Sequence, residues 1–394
     1  MQVAESESIC RSMLTATDND RVAIPTSAFE VSASSGGLEV VDGLADEWRD
    51  LCAEAVDDQP FYRPEWIRAH IRTFTPGAQV RAITARMDGR LHLVLPLLEE
   101  RGTFNKIPVR KLRAPVNCHG GRFDAVRSSG LEGDAAIRAT WEYLKDLKGW
   151  DLLQFGDTPE GSTVSQLARV AAMDGFRTLC VPDRPNPFIP VPADSELLNQ
   201  LPRNPKLRSQ LRQARHRLAE GGQLKLSRVD TADRESLDRF YKLEVSGWKG
   251  RAGTAILRNG SLPFYDEMAH AAARFGYFTL YLLEWKGELL AAHFAFTHRD
   301  RCYSPIVTYN EDFRQFAPGH LIISEILRDC ATRGIHGYDI TGQDQPWKMK
   351  WTTEARAVNH HFVFRGTLGS LAHTVGCKLR PAISRFLKRN TEGT

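Results

Sequence analysis

The residues best placed to do chemistry lie in FRQFAPGHLIISEIL, residues 313–327. Pro318 and Gly319 break the preceding chain, and an apolar helical run begins at once. Proline suits a first helical turn, where its missing N–H costs nothing, and glycine lets backbone approach a ligand closely. Such a helix start offers unpaired N–H groups and the positive end of the helix dipole to a phosphate. Gln315, Ala317, Pro318, Gly319, His320 and Leu321 are therefore candidate anion-binding residues. An ordinary loop-to-helix junction would carry the same signature.

Other residues suit acid–base work or substrate contact. His293 sits in the strand-like run ELLAAHFAF. An imidazole with an ordinary pKa of about 6.5 can act as a base, and a packed core histidine is the plain alternative. Asp344 and Lys348 follow the run GYDIT, and ligand sites in open α/β sheets cluster beyond such strand ends. Lys348 can hold a phosphate or an acyl carbonyl, and Asp344 can position an amine; solvated surface charges would read alike. Trp248-Lys249-Gly250-Arg251 joins an aromatic face, two cations and a flexible glycine, as either a substrate-contact loop or a helix stop would. Tyr309, Trp347 and Glu284 complete the set.

Several chemistries find no support. The chain has no G-x-x-x-x-G-K-[ST], no G-x-G-x-x-G after a strand, no H-E-x-x-H and no G-x-S-x-G. His360-His361 is a metal pair by composition alone, because adjacent strand residues point to opposite faces. The seven cysteines are scattered and form no C-x-x-C pair, which fits a reducing compartment and no zinc site. No metal is expected, and the expected location is the cytoplasm.

At 394 residues the chain exceeds the usual size of one core, and its 42% hydrophobic and 25% charged residues are ordinary globular composition. A net charge of +4 is too low for a dedicated nucleic-acid binder and is compatible with a small anionic ligand. The N-terminal stretch has no apolar run like that of a secretory signal, and residues 1–35 are expected to form a flexible leader. No segment is long and apolar enough to span a membrane.

The pattern from residue 38 onward reads as two halves with one grammar. VRAITARM, Asp88-Gly89 and RLHLVLPLL predict a hairpin, followed by a helix over 132–148 and the strand WDLLQFGD. YFTLYLLEW, Lys286-Gly287 and ELLAAHFAF repeat it, followed by a further strand, a helix over 319–333 and GYDITGQD. An internal duplication of one α/β unit accounts for both. The expected domains are 36–182 and 205–366, joined by a proline-rich crossover at 183–204 whose prolines argue against a helix or central strand. A helix over 205–220 carries Leu207, Leu211, Ala214 and Leu218 as its buried stripe. Lys206, Arg208, Arg212, Arg215 and Arg217 form its basic face, either solvated or guiding an anionic substrate. A basic amphipathic helix over 367–394 is expected to pack on the catalytic domain, with peripheral membrane contact as the alternative.

Order and spacing together resemble the GNAT acyltransferases, and more closely the CelD/BcsL-like ("BioF2-like acetyltransferase domain") group related to the FemABX tandem-GNAT transferases. The residues that carry this are PFYRPEWIRAH and DGRLHLVLPLLEER in the first half. In the second they are PKLRSQLRQARHRL, SGWKGRAGTA, KGELLAAHFAF, APGHLI and DQPWKMKW. The likeness covers roughly residues 38–366. It implies a mixed α/β fold of tandem GNAT-like domains, each a mostly antiparallel sheet flanked by helices. It also implies acetyl-CoA or another acyl-CoA as co-substrate, with its pyrophosphate at residues 315–321 and its thioester facing the strand that bears His293. The implied reaction is N-acylation of an amine on a small-molecule, sugar or cell-envelope precursor acceptor, with a place in exopolysaccharide biosynthesis. Two alternatives accompany it: a FemX-like transferase that uses charged tRNA, and a non-catalytic accessory protein of polysaccharide biosynthesis. The chain departs from the family in two places. Its loop is Gln315-Phe-Ala-Pro-Gly319 rather than the usual glycine-rich pyrophosphate pattern, and Trp347 stands where relatives often have Tyr, which removes a phenolic acid there.

Overall fold

A computed structural model describes residues 24–119 and 121–378, with side chains to residue 374. The first half runs β1 (Glu30–Gly36), α1 (Glu39–Glu54), α2 (Pro64–Phe74), β2 (Gln79–Met87), β3 (Arg90–Phe104), β4 (Ile107–Arg113), β5 (Val126–Arg127), α3 (Gly130–Asp146), β6 (Leu152–Pro159), α4 (Thr163–Met173) and β7 (Arg177–Pro182). A bridge of β8 (Asn186–Pro190), α5 (Ser195–Asn199) and α6 (Pro205–Gly221) follows. The second half runs β9 (Leu224–Val229), α7 (Arg234–Ser246), α8 (Trp248–Arg251), α9 (Leu262–Arg274), β10 (Phe278–Trp285), β11 (Glu288–His298), β12 (Arg301–Tyr309), α10 (Pro318–Thr332), β13 (Gly337–Asp339), β14 (Ala355–Arg356), β15 (Val358–Phe364) and α11 (Gly366–Lys378).

Local chemistry explains the shared grammar. Both hairpins turn on a pair with positive φ, Asp88-Gly89 at 52° and 78° and Lys286-Gly287 at 53° and 82°. That geometry matches the twist of the strands it joins. In each half a third strand follows the hairpin and a helix then crosses to a parallel partner, β4 to β6 and β12 to β13. Helix α6 starts as its sequence suggests. Pro205 opens it, the Asn204 side chain accepts the Leu207 N–H at 3.0 Å, and its leucine–alanine stripe is buried.

The strands form two sheets, an eight-stranded one in the order β1-β2-β3-β4-β6-β15-β7 with β5 beside β3, and a seven-stranded one in the order β14-β8-β13-β12-β11-β10-β9. The halves thus exchange strands. β8 follows the first half but lies in the second sheet, and β15 follows the second half but lies between β6 and β7 in the first.

Four sequence expectations are corrected here. Residues 30–36 of the expected leader form β1, paired with β2 along its whole length; 1–23 lie outside the described residues. The proline-rich stretch does hold an internal strand, because Pro187 offers its carbonyl to Ile340 while the ladder N–H groups come from Phe188 and Val191. Residues 358–364 belong to the first sheet rather than to the second domain. Helix α11 packs on that same first sheet, its Ala372 buried among Val109, Leu152, Leu179 and Phe364; residues 379–394 lie outside the described residues.

One apolar cluster runs through both halves. Trp66 meets Phe264 and Phe296 edge-on with ring centroids 5.0 and 5.6 Å apart, and Phe61 meets Tyr303 at 5.4 Å. A second cluster lies on the other face of the second sheet, under α6 and α10. Across the junction Arg122 donates to both carboxylate oxygens of Asp339, at 2.7 and 2.8 Å, with both side chains essentially inaccessible to water. Gln59 adds an acceptor for Arg122 at 3.1 Å, and Asp339 also takes the Thr341 N–H at 2.9 Å. Removing Arg122 leaves the buried Asp339 carboxylate with only the more distant Arg356, 3.6 Å away, to balance it. Arg122→Leu is therefore expected to lower the unfolding free energy by about 3 kcal/mol, the lower end for a broken buried pair. Urea denaturation measures it, and the double variant Arg122→Leu/Asp339→Leu should cost less than the two single changes added together.

Candidate functional site

The parallel strands β12 and β13 pair only over Arg301–Tyr303 and Gly337–Asp339. Beyond that, β12 continues to Tyr309 while the other chain turns away through Thr341 and Gly342, both at positive φ (48° and 60°). The Thr341 hydroxyl donates to the Ser304 carbonyl at 2.9 Å and fixes the point of divergence. Strands that part at their carboxyl ends leave a crevice in which ligands commonly bind.

Helix α10 begins where β12 ends. Ala317 adopts φ 50° and its carbonyl accepts the N–H groups of His320 and Leu321. Pro318 has no N–H to offer, and the Gly319 N–H makes no hydrogen bond among the described residues. A Cβ on Gly319 would lie 2.9 Å from Cδ1 of Tyr309, so the glycine permits the ring of Tyr309 to lie against the helix start. The Trp351 indole donates to Nδ1 of His320 at 3.0 Å, and burial pushes the His320 pKa down to about 4. The neutral ring then carries its proton on Nε2. Leu321 is wholly buried and anchors the turn, while Gln315 is exposed.

On one side of this turn stands the loop singled out from the sequence. Glu311 accepts the Trp248 N–H at 2.8 Å and pairs with Arg251 at 2.8 Å. Lys249 reaches the Val307 carbonyl on β12 at 3.3 Å, and burial lowers its pKa. Gly250 is obligatory there, because a Cβ would meet the Val245 carbonyl oxygen at 1.8 Å. Half of the Trp248 surface remains exposed.

On the other side lies the turn 341–351. Lys348 is buried, its ammonium donating to the carbonyls of Thr341 and Gln343 at 2.5 and 3.0 Å. Burial brings its pKa down to about 8, against the opposing pull of Asp339. Trp347 donates to Gln345, and its ring centroid is 6.1 Å from that of His320. Asp344 is engaged by Arg184 at 2.7 Å, so its carboxylate is already paired.

His293 lies across from Val307 of β12 but is turned into the core. It is wholly buried, with Nε2 2.6 Å from the Ser304 hydroxyl and 2.8 Å from the Tyr338 hydroxyl, and burial pushes its pKa down to about 3. A base must reach the proton it removes, so this geometry fits a packed core histidine. The strand that leads into α10 is β12, one further along than the strand bearing His293. Glu284 pairs with Arg239 beside the β10–β11 turn, at the same end of the sheet as the close of β12, so its carboxylate is already engaged. Sequence reading missed Arg122, Gln343 and the Arg184–Asp344 pair; an acidic residue in the apolar run GYDIT was the available signal for the first.

A separate cluster brings His360 together with Asp157 and Asp183, one ligand atom from each lying within 4.8 Å of the others. Nδ1 of His360 faces the Asp157 N–H at 3.3 Å, which leaves the neutral ring's proton on Nε2 toward Asp183, 3.7 Å away. A nitrogen that carries a proton is a donor rather than a metal ligand. His361 is paired through the ladder to a different set of neighbours.

Comparison with known proteins agrees with the architecture. Residues 205–349 match the model of the acetyltransferase (GNAT) domain family. The whole chain has a mixed α/β, tandem GNAT-like fold. A crystal structure of FemX is similar at 14% identity and a TM-score of 0.54, over 84% of this chain and 96% of that one. The C-terminal DUF2156 domain of a candidate lysylphosphatidylglycerol synthetase from Agrobacterium fabrum is similar at 11% identity and a TM-score of 0.51, over 86% and 97%. A conserved protein of unknown function from Bacteroides thetaiotaomicron has a TM-score of 0.51 at 10% identity, over 85% and 100%. No curated protein matches the sequence. Among the described residues no helix is long and apolar enough to cross a membrane.

The Lys348 geometry yields a pH signature. The folded pKa of about 8 lies below the ordinary lysine value of 10.5, so between these values the unfolded chain binds more protons. Stability from this group must then rise with pH across that window and stay flat below it. The difference in unfolding free energy between the parent and Lys348→Met, followed from pH 7 to 10.5, should shift in favour of the parent as pH rises. A constant difference would mean that the ammonium is not desolvated.

Proposed function

We propose that the chain is an N-acyltransferase that moves an acyl group, by default acetyl, from a coenzyme A thioester to an amine. The observation that carries this reading is the start of α10 beyond the end of β12, past the point where β12 and β13 part, with the Gly319 N–H unpaired there among the described residues. The donor pyrophosphate would lie against residues 315–321, where N–H groups and the helix dipole favour negative charge. The thioester would then enter the crevice toward Lys348.

The amine nitrogen attacks the thioester carbonyl, a C–N bond forms, the C–S bond breaks, and the proton released from nitrogen balances the one taken up by the thiolate. The Lys348 ammonium, with a pKa of about 8, is suited to stabilise the oxyanion or to protonate the leaving sulfur. Trp248, Lys249, Arg251, Tyr309 and Trp347 would contact the substrates, a reading supported by the hold of Lys249 on the Val307 carbonyl and of Tyr309 on the helix start. Asp344 acts through Arg184, holding the turn rather than the amine. The acceptor is an amine on a small molecule, a sugar or a cell-envelope precursor, as the likeness to the CelD/BcsL-like group implies, with exopolysaccharide synthesis as the setting and the cytoplasm as the site of action.

A second reading is a transferase that uses charged tRNA. It draws on α6, whose Arg217 donates to the Gln315 carbonyl at 3.3 Å and lies over the Phe316 ring. Phosphate contacts of that kind weaken steeply with salt.

Isothermal titration with acetyl-CoA, free CoA and a long-chain acyl-CoA tests the first reading. Saturable binding is expected, weakened by at least about tenfold in Gly319→Val, whose added carbons would displace Tyr309 from the helix start. If no thioester binds, the coenzyme A reading fails; salt-dependent tRNA binding would then carry the second.

A further inference from the structure

On the outer face of the second half, away from the first, α5, α6 and the flank of α10 enclose a cavity of about 390 Å³. Four arginines converge on it: Arg208, Arg212 and Arg215 from α6, and Arg328 from α10. Leu198, Leu201, Leu211 and Leu327 supply an apolar lining. The volume falls within the range of small-molecule sites.

The charge at this place is poorly balanced. Glu325 is the carboxylate that meets these arginines among the described residues, pairing with Arg215 at 2.7 Å and standing 3.9 Å from Arg328. Arg208 donates to the Gln200 carbonyl, and Arg212 makes no hydrogen bond or ion pair among the described residues. Burial and the charge of Arg215 both push the Arg328 pKa down, as crowding of like charges requires. Like charges gathered in one concavity repel unless an anion joins them, and a guanidinium is well suited to phosphate.

We propose that this cavity binds a phosphate group carried on an apolar chain. The arginines would take the phosphate oxygens and the leucines the first part of the chain. A polynucleotide backbone would gain nothing from the leucines, which argues for an amphiphile over a tRNA at this place. Leu197, beside Leu198 on α5, leaves about half of its surface exposed (52%), so the apolar lining continues outward past the rim. This assignment is independent of the donor reading, because it concerns the far flank of α10 and not its start.

Titration of the whole protein with n-octyl phosphate tests it, beside inorganic phosphate, octyl glucoside and unacylated tRNA. One equivalent of octyl phosphate is expected to bind at least about tenfold more tightly than inorganic phosphate or octyl glucoside. Arg212→Gln/Arg328→Gln should lose that advantage, and Arg169→Gln, on the first half, should keep it; circular dichroism checks that both variants are folded. Sedimentation with phosphatidylcholine vesicles, with and without phosphatidic acid, separates the sources. Co-sedimentation that needs phosphatidic acid and the two arginines assigns the phosphate to a membrane lipid, and octyl phosphate binding without it assigns a soluble ligand. Equal affinity for inorganic and octyl phosphate, or unchanged binding in the double variant, would overturn the proposal. So would tRNA binding lost in that variant while octyl phosphate fails to bind.

Discussion

The buried pair of Arg122 and Asp339 is the contact on which the site depends. Asp339 is the last residue of β13 to pair with β12, so it stands where the two strands begin to part. Its partner comes from the other half of the chain. Two opposite charges removed from water gain little net stability over a well-packed apolar pair, because each loses its hydration. What the pair does supply is position, since Nη2 of Arg122 holds both carboxylate oxygens while Nη1 is fixed on Gln59. Asp339 then holds the Thr341 N–H, Thr341 holds β12 through Ser304, and the Thr341 carbonyl receives Lys348. The crevice is therefore shaped from the first half even where the residues lining it belong to the second.

Strand exchange makes that dependence mutual. With β8 in the second sheet and β15 in the first, neither sheet is complete without residues from across the junction. The shared aromatic cluster of Phe61, Trp66, Phe264 and Phe296 works in the same direction, since its burial is lost if the halves separate. Relative motion of domains is the usual expectation for small polar interfaces. An interface with exchanged strands, an apolar centre and a buried ion pair is of the opposite kind, and a crevice built across it keeps its geometry.

The duplicated halves, the hairpins and helices α6 and α10 were legible because each rests on local chemistry: Asp88-Gly89, Lys286-Gly287, Asn204-Pro205 and Pro318-Gly319. The exchanged strands were not. β15 reads as an ordinary strand, and nothing within VNHHFVF says which sheet accepts it. The prolines of β8 misled because their ladder role depends on which neighbours need N–H groups, a tertiary fact. The site divides the same way. Residues 315–321 and the Trp248–Arg251 loop could be placed by local signals, and the structure brings both to the end of β12. His293 could not be placed, because a histidine in an apolar strand has one appearance whether it faces a ligand or the core. Only the hydroxyls of Ser304 and Tyr338 distinguish the two.

Helix α10 joins these considerations. Its start meets the crevice, its apolar face forms the second core, and its outer flank is gripped by α6 through Arg215 to Glu325 and Ser324. Arg217 of the same basic helix reaches the loop before α10 at Gln315. The positive end of the helix dipole and this row of guanidinium groups act on one side of the second sheet, while the carboxylates Asp58 and Asp339 are consumed in ion pairs at the junction. Cations thus gather along α6 beside the helix start, Arg212 among them without an ion pair among the described residues. For an anionic substrate that arrangement raises local concentration at one face of the molecule without making the whole chain basic.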